Sequence, residues 1–578
     1  MRDRQQNGDL TVHAIAGTYV VLLGMNMLEA RCQGLLGFAI HRTDHTENEA
    51  YWLEGMKVFK SVPVDIVAGG KVSTRKHPVQ GFTWSDYAAK PGHQYTYQVV
   101  ALGGTPAALV EVVATEVNVT TEAEQIGNGH EAYFNRGTAA SQEYAVRFNN
   151  QPPDKVGEAA YTWLSRGLHE AMLRFMERAA DGTWQIRMAA YEFTEPSILA
   201  ALKAAKHRGV DVQALYHARE VADYDSAGKI TQTGENRQAV TKAGILGICH
   251  ERLAPPKNAI SHNKFIVLLH NGGPVAVLTG STNFSTGGIF GHSNVAHVVN
   301  DPAIAGQYLE YWTRLMTDPV KKDVAPGLDV LCPLPPLPLT ADQPPAGTGT
   351  VYSPRSGTDA LDLYAALGQR AKDALFMTFA FGMHPAFRTV YATGPAPLRY
   401  TIMEKMVLPN KDKVKLAADT AAMTSLRRMP ENRMAIGGVM PHNILERWTD
   451  EKLTGFNVNV KYLHTKYMLV DPLGADPIVV TGSANFSVSS CNANDENMLV
   501  IRGDTRVADI YLGEFMRLYK HFAFRDWLTS AVKSGEIKQG TLDKDEPLPI
   551  EYLDEGNTWW KDWFGTSGKS RERAYFSR

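Results

Sequence analysis

The 578-residue chain contains only four cysteines, Cys32, Cys249, Cys332 and Cys491, far apart and without a C-x-x-C pair. That spacing excludes a disulfide framework and a cysteine-based zinc site, and leaves isolated buried thiols of a reducing compartment. A basic excess is missing too: 59 Lys+Arg stand against 61 Asp+Glu, a formal net charge of −2. This argues against a nucleic-acid footprint over the whole surface, while leaving room for a local basic groove. No stretch reaches the roughly 20 apolar residues that span a bilayer. The N-terminus, Met1-Arg2-Asp3-Arg4, lacks the basic, apolar and small-residue order of a signal peptide. A cytoplasmic protein is expected, although a secretion system that ignores signal peptides would leave no trace. No spacing of ligating side chains calls for a metal, and no cofactor is implied.

What is present changes character along the chain. Residues 1–150 are expected to form a β-sandwich with its connection. Thr18–Leu23, Leu36–Ile40 and Tyr95–Val100 are short β-branched and aromatic runs punctuated by Gly, Pro and Asn turns. Lys90-Pro91-Gly92-His93-Gln94-Tyr95-Thr96-Tyr97, after Trp84-Ser85-Asp86-Tyr87, resembles the end of a fibronectin type III domain, where a Pro-Gly turn feeds a Tyr-rich strand. Residues 151–330 read as a first α/β half. Trp184–Tyr191 is a strand, Thr194 a cap for a helix with Pro196 in its first turn, and Val210–Tyr216 the next strand. Such a β-α-β unit implies a mixed, largely parallel sheet. A proline-dense linker covers 331–348, and a second α/β half covers 349–535, with strands at Leu375–Phe381 and Leu398–Met403. Residues 536–578 form a tail.

One polar sentence is written twice, 202 residues apart. His262-x-Lys264 and Gly280-Ser281-Thr282-Asn283 return as His464-x-Lys466 and Gly482-Ser483-Ala484-Asn485. Core packing would repeat as hydrophobic periodicity, so a repeated polar set points to chemistry. Side chains two apart on a strand share a face, which puts each His beside its Lys. One imidazole, one ammonium, one hydroxyl and one carboxamide make half of a phosphate site. Two facing halves supply a histidine to attack phosphorus and a histidine to handle the leaving group's proton.

These paired motifs resemble the phospholipase D superfamily. The resemblance implies a two-step phosphodiesterase that works without a metal through a phosphohistidine, at the interface of the two halves. It assigns catalysis to His262, Lys264, His464 and Lys466, and phosphate binding to Ser281, Asn283, Ser483 and Asn485. The family's acidic residue five places after the Lys is Asp471 in the second copy, where the first has Leu269. The acidic residue that reaches the opposite histidine matches Glu496, and its counterpart is Asn294. A carboxylate on the far ring nitrogen raises imidazole nucleophilicity. Glu496 is therefore expected to support His262 as nucleophile, with His464 as general acid and base.

The implied partner is a phosphodiester. A phospholipid, hydrolysed or transferred, is the first reading. A nuclease is the alternative, and it would need a basic groove from residues such as Arg187, Lys203, Lys206, Arg208, Arg427 and Arg428. A non-catalytic scaffold with a decayed first half is the third. The tail's Trp559, Trp560, Trp563 and Phe564, followed by Lys569, Arg571 and Arg573, fit either a peripheral membrane contact or docking on the protein's own surface. Glu192 and Glu195 are candidate pocket residues, whereas His217, His297 and His384 read as structural or exposed. The partner of the N-terminal sandwich cannot be read from the sequence.

Overall fold

A computed structural model describes residues 1–65, 69–218, 234–253, 259–439, 452, 461–535 and 552–578. The first part of the tail, 536–551, lies outside the described residues.

Strands β1 (Arg2–Asn7), β2 (Leu10–Ala16), β3 (Val21–Asn26), β4 (Gly37–Asp44) and β5 (Glu49–Trp52) are followed by a short hairpin, β6 (Glu54–Gly55) and β7 (Val72–Ser73). With β8 (Thr83–Asp86), β9 (Gln94–Thr105) and β10 (Ala108–Thr120) they make two antiparallel sheets, ordered β1-β2-β3-β8 and β10-β9-β4-β5. One core lies between them, with Val12, Ala14, Leu23 and Met25 meeting Phe38, Ile40, Tyr97 and Val99. Thr18–Val20 precede the strand expected there, which begins at Val21.

The two α/β halves are built on one plan. The first contributes β11 (Gly129–Phe134), β12 (Trp184–Ala190), β13 (Asp211–His217), β14 (Cys249–Arg252), β15 (Lys264–His270), β16 (Gly273–Gly280) and β17 (Val295–Asn300). The second contributes β18 (Gly347–Ser353), β19 (Ala374–Phe379), β20 (Leu398–Met403), β21 (Asn432–Ile436), β22 (Tyr467–Val470), β23 (Ile478–Gly482) and β24 (Glu496–Arg502). Their orders, β11-β17-β16-β15-β12-β13-β14 and β18-β24-β23-β22-β19-β20-β21, correspond strand for strand. β11 falls within the stretch assigned from sequence to the sandwich and its connection, so the first half begins near residue 129 and not 151.

The sheets are mixed, but "largely parallel" is corrected. In each, only the two pairings beyond β12 or β19 are parallel, and the other four are antiparallel. The reason is connection length. β12 reaches β13 through the helix Pro196–His207, a crossover that makes strands parallel, whereas β15 turns into β16 through Asn271 and Gly272 alone. Glu195, and not Thr194, caps that crossover helix, accepting from the Ser197 backbone N–H at 3.5 Å and from its hydroxyl at 2.9 Å.

The inner faces of the two sheets share one core. Phe265, Val267 and Val277 on one side and Tyr467, Leu469 and Val479 on the other pack around the helices Pro302–Leu315 and Thr505–Ser534. The tail closes over the sandwich. Trp560 and Trp563 are buried, Phe82 packs against Trp559, Trp563 and Phe564, and the Arg573 guanidinium lies 4.1 Å from the Phe564 ring centre. A Cβ on Gly24 would sit 2.1 Å from the Phe576 carbonyl oxygen, so only glycine lets the last helix approach β3. The aromatic cluster proposed for a membrane is thus consumed by intramolecular packing. Among the described residues, no helix is long and apolar enough to cross a membrane.

Candidate active site

The two copies of the motif meet where the halves cross. The backbone N–H of His262 donates to Asp495 O at 2.9 Å, and that of His464 donates to Ser293 O at 3.0 Å. These are equivalent bonds, each tying a His-x-Lys segment to the other half. A Cβ on Gly280 or Gly482 would lie 2.3 or 2.2 Å from a carbonyl oxygen of the next strand. Glycine at both places lets β16 and β23 close tightly enough to deliver the following Ser and Asn.

The ring centres of His262 and His464 are 6.4 Å apart. The Nδ1 of His262 lies 2.8 Å from Glu496 Oε2, and the Nδ1 of His464 lies 3.1 Å from Asn294 Oδ1 and 3.1 Å from Ser281 O. Ser483 donates to Glu496 at 2.6 Å and Ser281 donates to Asn294 at 2.8 Å, so each serine braces the group that holds a histidine. Lys264 and Lys466 donate to the carbonyls of His262 and His464 at 2.5 and 2.6 Å. The carboxamide oxygens of Asn283 and Asn485 are buried with no partner among the described residues. The NH2 groups of these two equivalent amides are the atoms that could donate to a bound anion, whereas the unpaired oxygens could accept only from a protonated group of the ligand.

Burial shapes the titration of the cluster. It pushes His262 down to about 4, with Glu496 opposing and Lys264 reinforcing the shift. It pushes His464 well below the usual imidazole range, helped by Lys466, His292 and Lys264, with no carboxylate to resist. Burial lowers Lys264 to about 7 and Lys466 well below its ordinary value, against the pull of Glu496 and Glu192. The resting site is therefore short of positive charge, and an anionic ligand would restore it.

Asp471 is not part of this cluster. It follows β22 at the end away from His464 and accepts backbone N–H bonds from Lys372, Asp373 and Ala374 at 2.7–3.1 Å. Its φ of 47° turns the chain out of the strand, whereas Leu269 lets β15 run on to His270 and lies in the core. Glu192 is exposed and accepts from Ser285 at 2.5 Å, while Glu195 serves the crossover helix. The basic residues weighed for a groove lie elsewhere. Arg187 pairs with Asp211 at the start of β13, Lys203 and Arg208 bond the carbonyls of Ala243 and Ala179, and Arg427 pairs with Asp526. The contacts of Arg187, Lys203 and Arg208 lie toward the starts of the parallel strands, away from the histidines, whereas Arg427 also reaches Met406 Sδ at 3.9 Å, just beyond the end of β20.

Sequence reasoning missed several supports. His217 ends β13 and accepts from the Ser261 N–H at 3.3 Å. At the matching place after β20, Glu404 accepts from the N–H groups of Lys461, Tyr462 and Leu463 at 2.9–3.2 Å. Each holds the segment that leads into a motif histidine. Buried Arg252 pairs with Asp495 at 2.9 Å and Asp318 at 2.7 Å, clamping the residue before Glu496. Tyr191 sets its ring edge against His262 at 4.8 Å.

Comparison with known families agrees with this geometry. Residues 173–316 and 429–519 match the family described as "Cardiolipin synthase, PLD-like domain". These two segments, which together make up less than half of the chain, are similar to a phospholipase D-like domain. No curated protein sequence matches the chain. Among solved structures, phosphatidylserine synthase from Haemophilus influenzae is similar at 12% identity, over 64% of this chain and 92% of its own, with a TM-score of 0.42. Nuc from Salmonella typhimurium, a phospholipase D family member, matches at 32% identity over 25% of this chain and 84% of its own, with a TM-score of 0.19. Polyphosphate kinase from Porphyromonas gingivalis matches at 13% identity and a TM-score of 0.37, over 58% of this chain but only 43% of its own length. The matched segments of the phospholipase D-like domain include His262, Lys264, His464 and Lys466.

Proposed function

We propose that the chain is a cytoplasmic phosphodiesterase working by double displacement without a metal ion. Nε2 of His262 attacks phosphorus, and the P–O bond to the leaving alcohol breaks as His464 Nε2–H delivers its proton. Water or a second alcohol then gives a proton back to His464 and displaces His262 from phosphorus. Lys264, Lys466, Ser281, Ser483, Asn283 and Asn485 hold the non-bridging oxygens. One observation carries this reading: two histidines face each other, each with Nδ1 engaged by the opposite half. Neither Nε2 has a hydrogen-bond partner among the described residues. Glu496 favours a cationic, phosphorylated His262, which is what a nucleophile needs. His464 faces only neutral acceptors and gives up its proton more readily.

A phospholipid is the favoured substrate. The matched family is described by cardiolipin synthase, and the exposed Glu192 carboxylate at the site disfavours a polyanionic chain. The test is one assay series in EDTA, offering liposomes, plasmid DNA, single-stranded DNA and RNA, with His262→Ala as control. Lipid turnover that His262→Ala abolishes is expected. EDTA-resistant plasmid loss would replace lipid with nucleic acid, and inertness toward all four would favour a scaffold.

A further inference from the structure

The residue two places before the histidine's partner differs between the copies: His292 precedes Asn294, and Asn494 precedes Glu496. The difference answers a problem that only an amide has. A carboxylate presents an acceptor whichever way it turns, but a carboxamide presents an acceptor on one side and a donor on the other. In the second copy Asn494 Nδ2 donates to Glu496 Oε1 at 3.1 Å, a donor beside an acceptor. In the first copy the neighbour is itself an acceptor. Asn294 Nδ2 donates to His292 Nδ1 at 2.8 Å and to Gly288 O at 2.7 Å. Both acceptors draw the amide NH2 away from His464, so Oδ1 remains to meet His464 Nδ1 and the Ser281 hydroxyl.

The His292 ring is placed for this. It stacks on His464 with ring centres 4.4 Å apart and planes within 15°, and it is 7% exposed. Burial, with Lys466 and Lys264 nearby, pushes His292 down to about 3, so the ring is neutral with one bare nitrogen, and the Asn294 NH2 at 2.8 Å makes Nδ1 the accepting one. We propose that His292 is a positioning residue that sets the tautomer of His464 by fixing which side of the Asn294 amide that histidine meets. Neutral His464, the form left once its Nε2–H has protonated the leaving alcohol, then keeps its remaining proton on Nδ1 and presents a bare Nε2 to the cleft. With the amide reversed, NH2 would point at Nδ1, leaving only the Ser281 carbonyl at 3.1 Å to favour a proton there, and the Nε2–H form would gain population. A neutral His464 in that state cannot take a proton from the second nucleophile. The chemical consequence rests on the role given to His464 above; the tautomer does not.

Two measurements test the idea in the full-length protein. His292→Phe keeps a stacked ring and removes the acceptor. In 15N-histidine-labelled protein at neutral pH, wild-type His464, assigned by loss of its signals in His464→Gln, should show the Nδ1–H pattern. His292→Phe should move it to Nε2–H or to a mixture, and His292→Phe/Asn294→Asp should restore Nδ1–H, because a carboxylate has no wrong side. Retention of Nδ1–H in His292→Phe would overturn the proposal. His292→Ala, read in the same way, serves if the Phe variant fails to fold. The kinetic arm separates the two steps with bis(p-nitrophenyl) phosphate. In His292→Phe the first-turnover burst of p-nitrophenol should persist while steady-state turnover falls about tenfold, because only the step that takes a proton from the second nucleophile is impaired. Equal losses in burst rate and steady-state rate count against the proposal. If wild type does not turn over this ester, the phosphodiesterase reading fails while the tautomer result still decides the inference.

Discussion

The first and second copies of the motif superimpose in connectivity and diverge in electrostatics. Both place an imidazole, an ammonium, a hydroxyl and an orphaned carboxamide on matched strands. Yet His262 meets a carboxylate in Glu496, and His464 meets an amide in Asn294 and a backbone carbonyl. A duplicated scaffold thus delivers two chemically different histidines, with the division made by what touches Nδ1. In the mechanism proposed above, symmetry supplies the phosphate cradle, and departure from symmetry assigns the roles.

The most severe way to break this comparison is to remove one histidine at a time. His262→Ala should lower phosphodiester turnover by at least about a thousandfold, as losing a nucleophile does. His464→Ala should cost about 10²–10⁴-fold, more with poor leaving groups, and should leave a phosphoryl adduct that intact-mass and peptide analysis place on His262. An adduct on His464 would reverse the assignment. Glu496→Gln should reduce kcat by about 10–100-fold, whereas Asn294→Asp should change it by less than about tenfold. Equal losses from the two substitutions would mean that the copies are equivalent after all.

The pH profile sharpens the contrast more gently. His262 attacks only when unprotonated, so kcat/KM should rise as pH increases through about 4. Lys264, lowered to about 7, is cationic below that value and neutral above it, so kcat/KM should fall as pH rises past about 7. In Glu496→Gln the acid limb should move lower, because the carboxylate that raises His262 is gone. Stability offers the last comparison, since the second copy alone is clamped by an ion pair. Arg252→Met strands buried Asp495 and should cost about 3–5 kcal/mol in denaturant unfolding. Ser293, at the position equivalent to Asp495, should tolerate alanine within about 1 kcal/mol.

Much of this was legible because reactive residues travel in short strings. His262-x-Lys264 with Ser281 and Asn283, and their repeats, are readable wherever a strand period of two applies. Sheet order was less so. The crossover helix between β12 and β13 correctly signalled a parallel pair, but the two-residue turn after β15 and the seven-residue connection after β22 reverse the chain into antiparallel neighbours. His217, Glu404 and Arg252 belong to no string, since strand ends distant in sequence bring them to the motifs only on folding. Asp471 shows the converse. It stands at the motif's expected spacing and spends its carboxylate on three backbone amides of the next strand's approach.

The crossed backbone bonds at His262 and His464 have a consequence for molecularity. Because each histidine's own amide is fastened to the other half, neither half holds a finished reaction centre. Were the halves separate chains, assembling the site would be a second-order encounter governed by dilution. Joining them through residues 331–348 makes closure first-order, with an effective local concentration set by a short tether. Specific activity of the intact chain should therefore stay constant from micromolar to picomolar protein, and a chain cut within the linker should start to lose activity on dilution.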